Sequence, residues 1–177
     1  MRGLLVGRFQ PFHLGHLATV RWIREHQDEP LLLGIGSAQE SYTWTNPFTA
    51  GERFEMIDRS LRAEGITQVQ CVPLPDIQRH AQWVAYVESM LPPFARVYSN
   101  NPLTRLLFER AGHPVVAVPW ADRERCEGAK LRLEIARRGS VEGMPLPGAV
   151  ATYLSEIGGA DRLRRLQPPG ADTEPRG

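Results

Sequence analysis

Apolar positions along the chain switch repeatedly between short unbroken runs and helical spacing. Leu4-Leu5-Val6 is a run that breaks at Gly7, and Leu17, Val20 and Ile23 then recur at helical intervals over residues 15–26. That helix should stop before Asp28-Glu29-Pro30. Leu31-Leu32-Leu33-Gly34-Ile35-Gly36 is apolar throughout, the mark of a central parallel strand covered on both faces, so the first 36 residues read as a βαβ unit. Gly34 and Gly36 would let a ligand or a neighbouring backbone come close at the strand end. Residues 37–47 are polar and predict a loop over the carboxyl edge of the sheet, a mobile cover. Thr49 and Glu52 have capping-box spacing and predict a helix over about 50–63, ending at Gly65, with Phe54, Ile57 and Leu61 facing the core.

The alternation continues with a strand at 69–72 that ends at Pro73 and a helix over 79–91, carrying Trp83, Val84 and Val87, that Pro92-Pro93 stops. A fourth strand at 96–99 turns through Asn100-Asn101-Pro102 into a helix over 103–111 closed by Gly112. Residues 115–118 form a fifth strand, followed by helices over 128–138 and 147–157 and a short helical piece through Leu166. Strands and helices in this order predict an α/β protein with a doubly wound parallel sheet and its site at the strand ends. One domain over 1–166 is expected, with 167–177 a disordered tail.

Composition narrows the partners. Among 177 residues 23% are charged and the formal net charge is only +1, which argues against a nucleic-acid grip through a broad basic surface. The two cysteines, Cys71 and Cys126, fit plain thiols in a reducing compartment. No leader-like segment opens the chain and no apolar run is long enough for a bilayer, so a cytoplasmic protein without membrane contact is expected.

The candidate chemistry is concentrated in Gly7-Arg8-Phe9-Gln10-Pro11-Phe12-His13-Leu14-Gly15-His16. A strand that breaks at a glycine and turns directly into a helix brings backbone N–H groups and a positive helix end to one point, which suits an anion, most of all a phosphate chain. His13 and His16 fall on neighbouring positions where the helix begins. A zinc site is disfavoured, because there is no His-Glu-x-x-His and no nearby cysteine to complete a ligand set.

This segment resembles the first motif of the nucleotidylyltransferase superfamily, and with Asn46-Pro-Phe-Thr-Ala-Gly-Glu-Arg53 the chain resembles the archaeal-type nicotinamide mononucleotide adenylyltransferases over about residues 1–166. The resemblance implies a Rossmann-like nucleotidylyltransferase fold and transfer of AMP from ATP to nicotinamide mononucleotide (NMN), giving NAD and pyrophosphate. It implies that His13 and His16 contact the ATP phosphates, with Arg8 and Arg132 adding charge. Gly7, Phe9, Gln10, Gly15 and Gly128 complete the expected ATP site. Phe9 and Phe12 are read as packing rather than stacking groups. The acceptor is expected at Gly36, Ser37, Asp76, Ile77, His80, Trp83 and Asn101, with the Trp83 indole stacked on the pyridinium ring. Magnesium is expected to bind through the phosphates rather than protein side chains, and the assembly implied is a homo-oligomer, often a hexamer.

Three positions depart from the family pattern. Glu127-Gly128-Ala129 stands where the second motif has hydroxyl side chains, Thr45 where an arginine is usual, and His80 where an asparagine holds the ring amide. Glu127 should repel a triphosphate, and Lys130 lies too far around the helix to replace a lost contact beside Arg132. Arg123 and Arg125 are candidate compensating cations. These departures keep two other readings open: a related nucleotidylyltransferase with a different acceptor or nucleotide, or a nucleotide-binding module with impaired catalysis.

Overall fold

Strand β1, Arg2–Gly7, lies at the centre of a five-stranded sheet in which every neighbouring pair is parallel. The computed structural model describes residues 1–119 and 125–169. The expected tail falls outside them from residue 170 onward. Helix α1, Leu14–His26, leads to β2, Leu31–Gly36, and helix α2, Ala50–Ala63, leads to β3, Val69–Leu74. Helix α3, His80–Met90, then carries the chain back past β1 to β4, Phe94–Tyr98. Helix α4, Pro102–Arg110, leads to β5, Val115–Val116. The resulting order is β3-β2-β1-β4-β5, so the direction of travel reverses between β1 and β4. In open parallel sheets that reversal leaves a crevice at the strands' carboxyl ends.

Alternate residues of the strands build two cores. Leu5, Leu31, Leu33 and Tyr98 face α1, α2, α5 (Gly128–Arg138), α6 (Gly148–Glu156) and α7 (Gly159–Leu166). Leu4, Leu32 and Val97 face α3 and α4. Burial of both faces explains why β2 is apolar without alternation. No helix among the described residues is long and apolar enough to cross a membrane.

Several boundaries and faces differ from the pattern read in sequence. Strand β3 continues through Pro73, paired with Ile35, to Leu74, paired with Gly36. As an edge strand it tolerates a residue that cannot donate. Strand β5 is shorter than expected. After Val116 the Asn100 side chain takes over the pairing, donating to the Val118 carbonyl at 2.7 Å and accepting from its N–H at 3.1 Å. On α2, Phe54 is exposed, and the inward face is Arg53, Met56, Ile57, Ser60 and Leu61. The expected Thr49–Glu52 capping box is present with both of its hydrogen bonds. At Gly34 a Cβ would meet Leu74 Cδ1 at 2.5 Å, so this glycine serves strand packing rather than a ligand.

Candidate active site

Two cavities lie side by side at the switch point. One of about 370 Å³ is lined by His13, Gly15, His16, Phe9 and Gly128, together with Thr19, Ser99, Asn100, Cys126 and Glu127. The other, about 690 Å³, is lined by Arg8, Gly36, Ser37, Asp76, Ile77, His80 and Trp83, together with Arg79 and Thr104. Val6, Gly7 and Asn101 belong to both. Two ligands placed one in each cavity would therefore meet at the end of β1, where Gly7 presents backbone without a side chain.

Helix α1 starts in an unusual way. His13 is its N-cap residue, and its Nδ1 accepts from the His16 N–H at 3.3 Å while His16 Nδ1 accepts from the His13 N–H at the same distance. This is a capping box made of two imidazoles. The rings stack with centroids 3.5 Å apart, and Phe9 and Phe12 pack against His16 at 4.9 and 5.6 Å. Burial lowers His13 from 6.5 to about 4 and holds His16 well below its ordinary value, with His13 adding a smaller repulsive contribution. At neutral pH both rings are uncharged. Because each Nδ1 accepts, each proton sits on Nε2, and the two residues, both of which line the cavity, are uncharged N–H donors.

The second helix N-terminus at the smaller cavity is that of α5. Its N-cap, Glu127, makes no side-chain cap bond, and Gly128 lines the cavity. Glu127 is paired with Lys130 at 3.1 Å, so Lys130 neutralises the repulsive carboxylate although it does not stand beside Arg132. Arg132 is 6% exposed and is not among the cavity-lining residues; its Nη1 donates to the Gln10 carbonyl at 2.9 Å, and its Nε has no partner among the described residues. Burial lowers it to about 10, still charged at neutral pH, with a smaller contribution from Arg8.

Three residues expected at the ATP site do not line the smaller cavity. Arg8 lines the larger cavity. Gln10 lines neither: its amide donates to the Phe48 carbonyl at 2.9 Å and accepts from the Phe48 N–H at 3.0 Å, clamping the first motif onto residues 46–49. Arg132 supports Gln10 from beneath. At Gly15 a Cβ would meet Cys126 Cβ at 2.9 Å, so the glycine admits the 125–127 segment as well as lining the cavity. All seven expected acceptor-side residues line the larger cavity. Trp83 does so while packing edge-on against Phe108 at 5.3 Å, joining the two roles an indole on that helix could have. Arg123 lies outside the described residues.

Sequence reasoning missed Asn100 and Arg53. Asn100 follows a strand and precedes a helix N-cap, a position that could have drawn attention. Arg53, four residues after a threonine N-cap, reads as a solvent-facing helix arginine but is fully buried.

Residues 4–132 match the model of the cytidylyltransferase-like family. The chain belongs to that family. Among its relatives it is 45% identical over 168 residues to a protein of Ignicoccus hospitalis, covering 94% of this chain and 98% of the relative. It is 46% identical over 171 residues to one of Archaeoglobus fulgidus, at 94% and 97% coverage. Both relatives are named nicotinamide-nucleotide adenylyltransferase. A solved structure of a bifunctional NMN adenylyltransferase/ADP ribose pyrophosphatase from Francisella tularensis, complexed with AMP and a manganese ion, has a TM-score of 0.74 at 19% identity. This chain is 93% covered and spans 51% of that one, a likeness of fold. Both cavities are lined mostly by residues within the matched range.

Proposed function

We infer that the chain is a nicotinamide-nucleotide adenylyltransferase, joining the phosphate of NMN to the α-phosphorus of ATP and releasing pyrophosphate. The observation that carries this is the meeting of the two cavities at Gly7, one with two neutral imidazole donors and two helix N-termini, the other with an indole and Arg8. Near-full-length relatives of that name support it.

The triphosphate occupies the smaller cavity, accepting from the Nε2–H groups of His13 and His16 and facing the positive ends of α1 and α5. NMN occupies the larger cavity, its ring against Trp83 and its phosphate toward Arg8 and Gly7. A phosphate oxygen of NMN attacks the α-phosphorus, the new P–O bond forms as the bond to the β-phosphate breaks, and pyrophosphate leaves. No covalent nucleophile is required of the protein, whose part is alignment and charge stabilisation. Because His16 is neutral, it stabilises the developing charge by donation and gives up no proton. The described residues hold no group of three or more His, Cys, Asp or Glu side chains arranged for a metal. Magnesium, when bound, supplies charge neutralisation along the triphosphate.

His80 at the larger cavity favours one further reading within the class, an altered acceptor preference. Both are tested by following NAD and pyrophosphate formation from ATP and magnesium with NMN, nicotinate mononucleotide and other phosphorylated acceptors. Turnover with NMN establishes the activity; turnover only with another acceptor replaces it. The hexameric assembly is tested by light scattering, where a monomer at working concentration would remove it.

A further inference from the structure

Arg53 lines neither cavity, yet its side chain donates four hydrogen bonds to backbone carbonyls beside the larger one. Its guanidinium is fully buried, and its Nε donates to the Thr49 carbonyl at 3.2 Å. Nη1 donates to the Arg8 carbonyl at 2.9 Å and the Gly36 carbonyl at 2.7 Å, and Nη2 to the Ser37 carbonyl at 3.1 Å. The β1–β2 ladder ends with Gly7 opposite Ile35. One nitrogen atom of Arg53 then holds the carbonyls of the next residue on each strand, so the side chain adds a rung where the backbones have stopped pairing.

Arg8, Gly36 and Ser37 all line the larger cavity. Ser37 is held with φ at 49°, in the left-handed region that a serine enters only when its surroundings hold it there. The charges that Arg53 senses are Asp76 and Arg8, two side chains of the same cavity. Three of its four side-chain hydrogen bonds, those to Arg8, Gly36 and Ser37, therefore lead to the larger cavity, and the fourth ties them to Thr49 at the start of α2.

Resting on the reading above, we propose that Arg53 is a positioning residue for the acceptor: its planar fork fixes the ends of β1 and β2, and with them the wall that receives NMN. Lysine carries the same charge but a single ammonium, which cannot hold both strand ends in one plane.

The test is Arg53→Lys, with folding checked by circular dichroism and a cooperative melt. The KM for NMN should rise about tenfold or more while the KM for ATP stays within about twofold, as follows when only one reactant loses its alignment. Unchanged constants, or an equal rise in both, would overturn the proposal; a lower melting temperature with unchanged KM values would assign Arg53 to stability alone. If the variant does not fold, the wild-type protein labelled with 15N-arginine is titrated instead. The Arg53 Nε–H signal, assigned through its contacts with Thr49, should move with NMN and not with a non-hydrolysable ATP analogue, and no movement with NMN would sink the idea. Wild-type turnover is measured alongside, because a wild type that makes no NAD removes the functional reading itself, a result separate from any change in the variant.

Discussion

His13 and His16 cap each other: each imidazole accepts the other's backbone N–H at 3.3 Å, and the rings lie 3.5 Å apart. The same two bonds start helix α1 and set both tautomers, in two residues that line the smaller cavity. Structure and chemistry can be separated here, because glutamine is a normal residue at the third position of a capping box. His16→Gln should melt within a few degrees of the wild type while kcat falls about 10²- to 10³-fold, the size of a lost oxyanion donor. Steady-state kinetics beside a thermal melt decides; full activity in a folded variant would remove His16 from catalysis.

The buried imidazoles make stability depend on pH in one direction. Their folded values lie below 6.5, so below that pH the unfolded chain binds more protons than the folded one. The stabilisation is fully present above about pH 6.5 and declines as pH falls toward 4, by at most about 1.4 kcal/mol per histidine per pH unit. Denaturant titrations between pH 4 and 8 should show this slope. NMR titration of the ring protons should show no midpoint near 6.5 for either residue.

Gln10 should act on stability rather than on ATP. Gln10→Ala leaves the buried N–H and carbonyl of Phe48 without partners and should cost about 2 kcal/mol. For a chain of this size that lowers the melting temperature by about 4–8 °C. The KM for ATP of the folded fraction should change less than about threefold. A large rise in that constant without loss of stability would restore Gln10 as a ligand contact.

Glu127 lines the smaller cavity and is paired with Lys130 at 3.1 Å, so the pair should set the charge met by a nucleotide there. Lys130→Ala should raise the KM for ATP by about two- to fivefold and Glu127→Ser should lower it, both effects shrinking with added salt. Equal behaviour of the two variants, or none, would show that the carboxylate does not face the nucleotide.

The helix and strand order and the first motif were legible because each is a local matter. Apolar spacing reports one face of one element, and a strand that breaks at Gly7 before His13 must point its helix end at the strand's end. Misread boundaries came from partners distant in sequence. Pro73 continues a strand because it lies at the sheet edge, and β5 stops because Asn100 takes its bonds. Arg8 and Gln10, two apart in one motif, go to different neighbours, one to the larger cavity and the other to Phe48.

The sequence by itself determined the fold class, the turn from β1 into the start of α1 and, through the resemblance its motifs carry, the family. Those follow from periodicity and from residue types within a dozen positions of each other. Tertiary structure alone decided what the buried polar groups do. Hydropathy assigns an arginine to solvent, yet at Arg53 the carbonyls at the ends of two strands would otherwise lack donors. Satisfying them draws a cation into the core beside the site, and no spacing along α2 records the strand ends it must reach.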